Sequence, residues 1–142
     1  MTGEETVRYL AHYIGRPYIW AGNGSQETYE GFDCSGLVLE GLWAAGAYTG
    51  DDTSANGLRL HAISEKWQKV KTAEAKPGDV CFFGTTKTTH VGMICDAAGL
   101  CMIEAGGGSS ACTSLATSTG SVRIRPVSRR KDLQGIWRPN YK

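Results

Sequence analysis

The sequence predicts an α+β fold, with helices first and an antiparallel sheet after them. Two observations carry this. Apolar residues recur at helical spacing in Val7, Leu10, Ala11 and Ile14, and again in Leu37, Val38, Leu42 and Ala45. From Pro77 the period changes, and short apolar runs bounded by turn residues take over. With 142 residues and no internal repeat, the chain reads as one domain, residues 1–142.

Thr2 and Glu5 have the spacing of a capping box, so the first helix starts there and runs to Gly15, just before Pro17. A loop rich in Gly and aromatics, RPYIWAGNGSQETYEGFD, leads to the second helix. Asp33 is its N-cap and Gly46 its stop, and Leu39 and Trp43 make it apolar nearly all round, as a buried helix would be. A weaker helix spans Ser54 to Lys66, interrupted by Asn56 and Gly57. KPGDVCFFG is a turn and a strand. HVGMICD and CMIEA form a hairpin closed by Ala97 to Leu100. In SVRIRPV the alternation predicts Val122 and Ile124 inside and Arg123 and Arg125 outside. GIWRP supplies a last strand, and residues 106–120 are a small-residue loop, flexible by composition.

Composition narrows the function. A net charge of +1 sets up no strong field for nucleic acid or acidic lipid. No apolar run is long enough to span a bilayer, and MTGEETVRYLAHYIG lacks the pattern of a secretory signal. The expectation is therefore synthesis in the cytoplasm and action after delivery by another route. The Gly-rich pieces lack the spacing of a nucleotide-binding loop, and Arg129, Arg130 and Lys131 read as a solvated loop. Five cysteines are an odd number without CxxC spacing, which disfavours a disulfide framework or a structural zinc site. Cys81, Cys95 and Cys101 read as reduced core residues, Cys112 as part of a polar loop, and no cofactor or metal is expected.

Cys34 is the exception. It opens an apolar helix, where unpaired N–H groups and the positive end of the helix dipole favour a thiolate. A free cysteine is otherwise a small buried hydrophobe, but a helix start flanked by Asp33 and Ser35 favours the reactive reading. A thiol nucleophile needs a base and a group to orient it. Of the three histidines, His12 lies beside the stripe of the first helix and His61 sits in the weak helix near Trp67. His90 opens a strand, at the rim of a sheet. Glu104, on the neighbouring strand, is the candidate orienter. A hairpin pairing Asp96 with Cys101 sets Glu104 opposite Met93, an odd offset that puts Glu104 and His90 on opposite faces. A bulge, placed near Gly92 or Gly99, or a different loop length is then needed to bring them together.

The blocks RPYIWAGNG…GFDCSGLV, KPGDVCFFG, THVGMIC and MIEAG resemble, in order, those of the NlpC/p60 family of papain-like cysteine peptidases. The resemblance implies a nucleophile helix packed on a small antiparallel sheet. It also implies hydrolysis of amide bonds in peptidoglycan stem peptides, commonly at γ-D-glutamyl-diamino acid links. Carried onto this sequence, it makes Cys34 the nucleophile, His90 the base and Glu104 the third residue, where many relatives have His. Tyr18 would then help hold the oxyanion, and Ser35 and Asp33 would line the substrate site. Here Ala21 stands in a block resembling Tyr-x-Trp-Gly-Gly. The alternatives are an amidase or acyltransferase of the same chemistry on another substrate, and an inactive binding module. A phage or prophage product fits best, a lysin or a tail component, with an injected toxin next. A phage tail or an immunity protein would then be a partner.

Overall fold

Thr2 and Glu5 exchange both hydrogen bonds of a capping box and start helix α1, Gly3–Ala11. The computed structural model describes residues 1–142. Helix α1 ends a turn earlier than the apolar spacing predicts. Only Val7 and Leu10 of the expected stripe are buried, and Ile14 lies beyond the helix, exposed. Helix α2, Cys34–Ala45, is capped by Asp33 and stopped at Gly46, which takes the left-handed conformation with φ 68°. Helix α3, Ala55–Ser64, is capped by Ser54.

Six strands form one antiparallel sheet: β1 Gln68–Val70, β2 Val80–Phe83, β3 His90–Ile94, β4 Cys101–Gly106, β5 Ser121–Pro126 and β6 Leu133–Arg138. Their order is β1-β6-β2-β3-β4-β5, which puts β3 and β4 near the middle and β5 at an edge. The short β1 escapes the sequence patterns because only Val70 of its three residues is buried. Helix α2 packs on β3 and β4, and α1 packs against α2. No helix is long and apolar enough to cross a membrane.

Both faces of the central strands are covered. Leu10, Leu37, Leu42, Val91, Met93 and Ile103 belong to the helix-side core, and Cys81, Phe83, Ile94, Met102 and Val127 to a smaller cluster on the other face. That is why β2 and β3 are buried at every position rather than at alternate ones. At the edge, β5 departs from the predicted alternation. Ile124 is 50% exposed and Arg123 is half-buried.

The β3–β4 register corrects the hairpin expected from sequence. Met93 pairs with Ile103 and Ile94 with Met102, one residue away from the predicted pairing. Cys95 N–H donates to Cys101 C=O at 3.0 Å, and the Asp96 carboxylate accepts from the N–H groups of Leu100 and Cys101. The turn is therefore wider than predicted. Extended along the strands, this register sets Glu104 opposite Gly92, on the same face as His90, with no bulge needed between them.

The small-residue loop is also pinned more firmly than its composition suggests. Cys112 is buried in the helix-side core, Trp20 N–H donates to its carbonyl at 2.7 Å, and Ser118 Oγ donates to Tyr18 C=O at 2.8 Å.

Candidate active site

Asp33 organises the start of α2. Its carboxylate accepts from Gly36 N–H at 2.7 Å and from Ser35 Oγ at 3.3 Å. The first intrahelical donor is Leu37, to Asp33 C=O. The N–H of Cys34 lies ahead of it and has no partner within the helix. Gly36 is required by close approach, since a Cβ there would stand 1.9 Å from the carbonyl oxygen of Gly22. The Trp20–Gly22 segment is thereby set against the Cys34 end of the helix.

His90 and Glu104 are both buried, at 8% and 3% exposure. His90 Nε2 and Glu104 Oε1 are 2.7 Å apart. The other carboxylate oxygen, Oε2, accepts from Arg123 Nε at 2.9 Å, across the β4–β5 pair Glu104↔Arg123. Burial pushes the Glu104 carboxyl up, but the hydrogen bonds and positive charge of His90 and Arg123 outweigh it and hold the group below its ordinary value. An ionised carboxylate only accepts, so Nε2 carries hydrogen and the lone pair of a neutral imidazole is on Nδ1. Alternation along the strand predicts an outward-facing Arg123; the cross-strand charge pair becomes legible only once the β4–β5 register is known.

Two cavities flank Cys34, of about 310 and 340 Å³. Tyr18, Cys34 and Thr89 border both. The first adds His90, Glu104 and four arginines; the second adds Asp33, Ser35, Asp52 and Trp20. All six residues singled out from the sequence thus border one or both of these two cavities. His12 is exposed at the end of α1, and His61 packs edge-on between Tyr48 and Trp67 at a separate cavity. Arg130 lines the cleft and pairs with Asp132, so it does not belong to a solvated loop.

The electrostatics of the thiol run against the expectation for a helix start. Burial, and then the neighbouring Asp33 carboxylate, push the Cys34 thiol up to about 11, although the backbone groups of Val91, Ser35 and Cys34 pull the other way. At neutral pH Cys34 rests as a thiol and needs a base to take its proton. Burial, then the Cys34 and Asp33 charges, push the Tyr18 phenol well above its ordinary value, so it remains an O–H donor. Gly108 sits against that ring, where a Cβ would come within 2.0 Å of Tyr18 Cδ1. No three His, Cys, Asp or Glu side chains converge as metal ligands would.

The NlpC/P60 family model matches residues 15–129. The bifunctional muramidase/DL-endopeptidase CwlT of Bacillus subtilis is 36% identical over 94 residues, covering 63% of this chain and 26% of that protein. The peptidoglycan endopeptidase RipB of Mycobacterium tuberculosis is 29% identical over 139 residues, covering 89% of this chain and 48% of that one. The chain therefore spans less than half the length of these relatives. The NlpC/p60 domain of the peptidoglycan hydrolase SagA shares the fold with a TM-score of 0.66 at 22% identity, over 96% of this chain and 98% of that one. RipD of Mycobacterium tuberculosis, described as a non-catalytic NlpC/p60 domain protein adapted to peptidoglycan binding, has a TM-score of 0.66 at 23% identity, over 97% of this chain and 98% of that one.

Proposed function

The chain belongs to the NlpC/P60 family, and from that premise we propose that it is a cysteine endopeptidase cutting amide bonds in peptidoglycan stem peptides, of the γ-D-glutamyl-diamino acid type. The observation that carries this reading is the shared cavity of Cys34, His90 and Glu104, with Glu104 bound to His90 Nε2 at 2.7 Å. The names of the relatives, which include peptidoglycan and DL-endopeptidases, support the substrate class.

In this mechanism Nδ1 of His90 takes the proton of Cys34 as the sulfur attacks the amide carbonyl. Glu104 holds the imidazole in the tautomer that leaves Nδ1 free and stabilises the imidazolium that forms. The tetrahedral oxyanion accepts from Cys34 N–H and Tyr18 O–H. The imidazolium then gives its proton to the leaving amine, the C–N bond breaks, and a thioester joins the acyl fragment to Cys34. Water, deprotonated by the same imidazole, hydrolyses the thioester and restores the thiol.

The test uses purified sacculi. The native chain should release new amino groups, while Cys34→Ala and His90→Ala, checked for retained fold, should release none above background. Full release by Cys34→Ala would end the reading. The second reading, a binding module without catalysis, draws support from the described non-catalytic relative. It predicts sacculus binding by the native chain with no amine release.

A further inference from the structure

Cys95 and Cys101 stand opposite each other at the turn end of the β3–β4 hairpin. Ile94 pairs with Met102, so Cys95 and Cys101 come next in register, and Cys95 N–H donates to Cys101 C=O at 3.0 Å. Directly opposed residues project to the same side of a sheet. Both thiols are free and half-buried, not in the core where the sequence reading set them. The turn between them is held in place, since Asp96 accepts from Leu100 and Cys101 N–H and Gly99 takes a left-handed φ of 71°. Cys81, by contrast, pairs with Gly92 and lies in the cluster on the other face. Cys112 is buried in the small-residue loop, and Cys34 opens α2. No other two of the five cysteines are strand partners.

We propose that Cys95 and Cys101 form an oxidisable pair, which a small disulfide such as oxidised glutathione converts into a cross-strand disulfide that clamps the β3–β4 hairpin in its native register. A hydrogen-bonded antiparallel pair holds its Cα atoms about 5.5 Å apart, inside the roughly 4.4–6.8 Å that a disulfide spans. Burial, then the charges of Asp96 and Cys101, push the Cys95 thiol up to about 11, and the part played by Cys101 reflects the closeness of the two sulfurs. The chemistry is thiol–disulfide exchange. One protein thiolate attacks oxidised glutathione and expels one glutathione thiolate, leaving a mixed disulfide. The second attacks the protein sulfur of that mixed disulfide and expels the other. One S–S bond forms for the one broken, two electrons pass to the reagent, and the two thiol protons end on the two glutathiones. Neither residue borders the cavities at Cys34, so the cross-link leaves that thiol untouched. What it clamps still bears on the site, because β3 carries His90, β4 carries Glu104, and one residue of slip sets them on opposite faces. The bond is expected in an oxidising medium and absent in a reducing one.

The test equilibrates the full chain with excess oxidised glutathione at about pH 8, then removes the reagent. Cleavage at Lys87, Asp96 and Glu104 leaves Cys81, Cys95, Cys101 and Cys112 on separate fragments for mass spectrometry. The intact mass should fall by about 2 Da, for two hydrogens, and the Cys95 and Cys101 fragments should be joined. The melting temperature should rise by about 4–8 °C, as expected for a short closed loop in a chain of this size, and return on reduction with dithiothreitol. In Cys95→Ser/Cys101→Ser the joined fragment should vanish and the oxidant should leave the melting temperature unchanged. Separate glutathione adducts on the two fragments, unmodified thiols, or a link to Cys34, Cys81 or Cys112 instead would overturn the pair. A Cys95–Cys101 bond that leaves the melting temperature unchanged or lowers it would overturn the clamp, since the bond would not then fit the native register. Amine release from sacculi tests the peptidase reading separately, as neither cysteine takes part in that mechanism.

Discussion

Glu104 is held from both sides. Oε1 lies 2.7 Å from His90 Nε2, and Oε2 accepts from Arg123 Nε at 2.9 Å. Glu104→Gln can still accept from the imidazole through its amide oxygen, but then turns its N–H₂ towards the Arg123 donor. It should keep the fold and lose about 10- to 100-fold in kcat. Glu104→Ala removes both the orientation and the support for the imidazolium, and should lose more, about 10²- to 10⁴-fold. Near-native kcat in both variants would make Glu104 a bystander.

Arg123 acts through Glu104. Without it the carboxyl loses one of the groups holding it below its ordinary value. A depressed carboxylate stabilises the fold above its unfolded value of about 4.5, and this contribution is lost as pH falls through the lower folded value. Arg123→Gln raises the folded value, so its loss in melting temperature should be full at pH 7 and shrink towards pH 3, where the native chain no longer gains from the ionised carboxylate. Its loss in kcat follows protonation of Glu104 and should be larger at pH 5 than at pH 7. A deficit independent of pH would separate Arg123 from the titration of Glu104.

The thiol gives a second pH test. With Cys34 pushed up to about 11 by burial and by Asp33, its alkylation by a small neutral reagent should keep accelerating well above neutral pH. Asp33→Asn keeps a good helix cap and removes the negative charge that disfavours the thiolate, so the profile should move to lower pH. A plateau already reached by pH 7 in the native chain would indicate a preformed thiolate.

In the proposed mechanism Tyr18 donates to the oxyanion. Tyr18→Phe should lower kcat about 10²-fold with little change in melting temperature, as expected for one lost oxyanion donor. Gly108→Ala should act in the same direction, because its Cβ would meet the Tyr18 ring at 2.0 Å. Unchanged kcat in Tyr18→Phe would leave the backbone N–H of Cys34 as the donor.

Ala21 carries backbone strain. Its φ is 61°, a left-handed conformation that costs a residue with a side chain about 1–2 kcal/mol. Ala21→Gly relieves this and gives back about 0.5–1 kcal/mol through the more flexible unfolded chain. The net expectation is a gain of about 0–1 kcal/mol in chemical denaturation. A loss larger than about 1 kcal/mol would count against the strain.

Local chemistry made much of the architecture readable from sequence. The capping box of Thr2 and Glu5, the cap at Asp33 and the stop at Gly46 depend on residues a few positions apart, so their signals are written along the chain. The same holds for Cys34 at a helix start and His90 at a strand start. What the sequence left undecided are relationships between segments. Turn residues alone did not set the β3–β4 register, because Asp96 widens the turn with hydrogen bonds to Leu100 and Cys101, and one residue of slip exchanges the faces of a strand. That slip determines whether Glu104 meets His90. Arg123 becomes a partner of Glu104 only through the pairing of β4 with β5, and Ile124 is exposed because it lies on an edge strand. The Cys34 thiol likewise follows its tertiary surroundings. The helix start favours the thiolate, but burial and the adjacent Asp33 charge outweigh it, because the desolvation of a charge is set by everything packed around it.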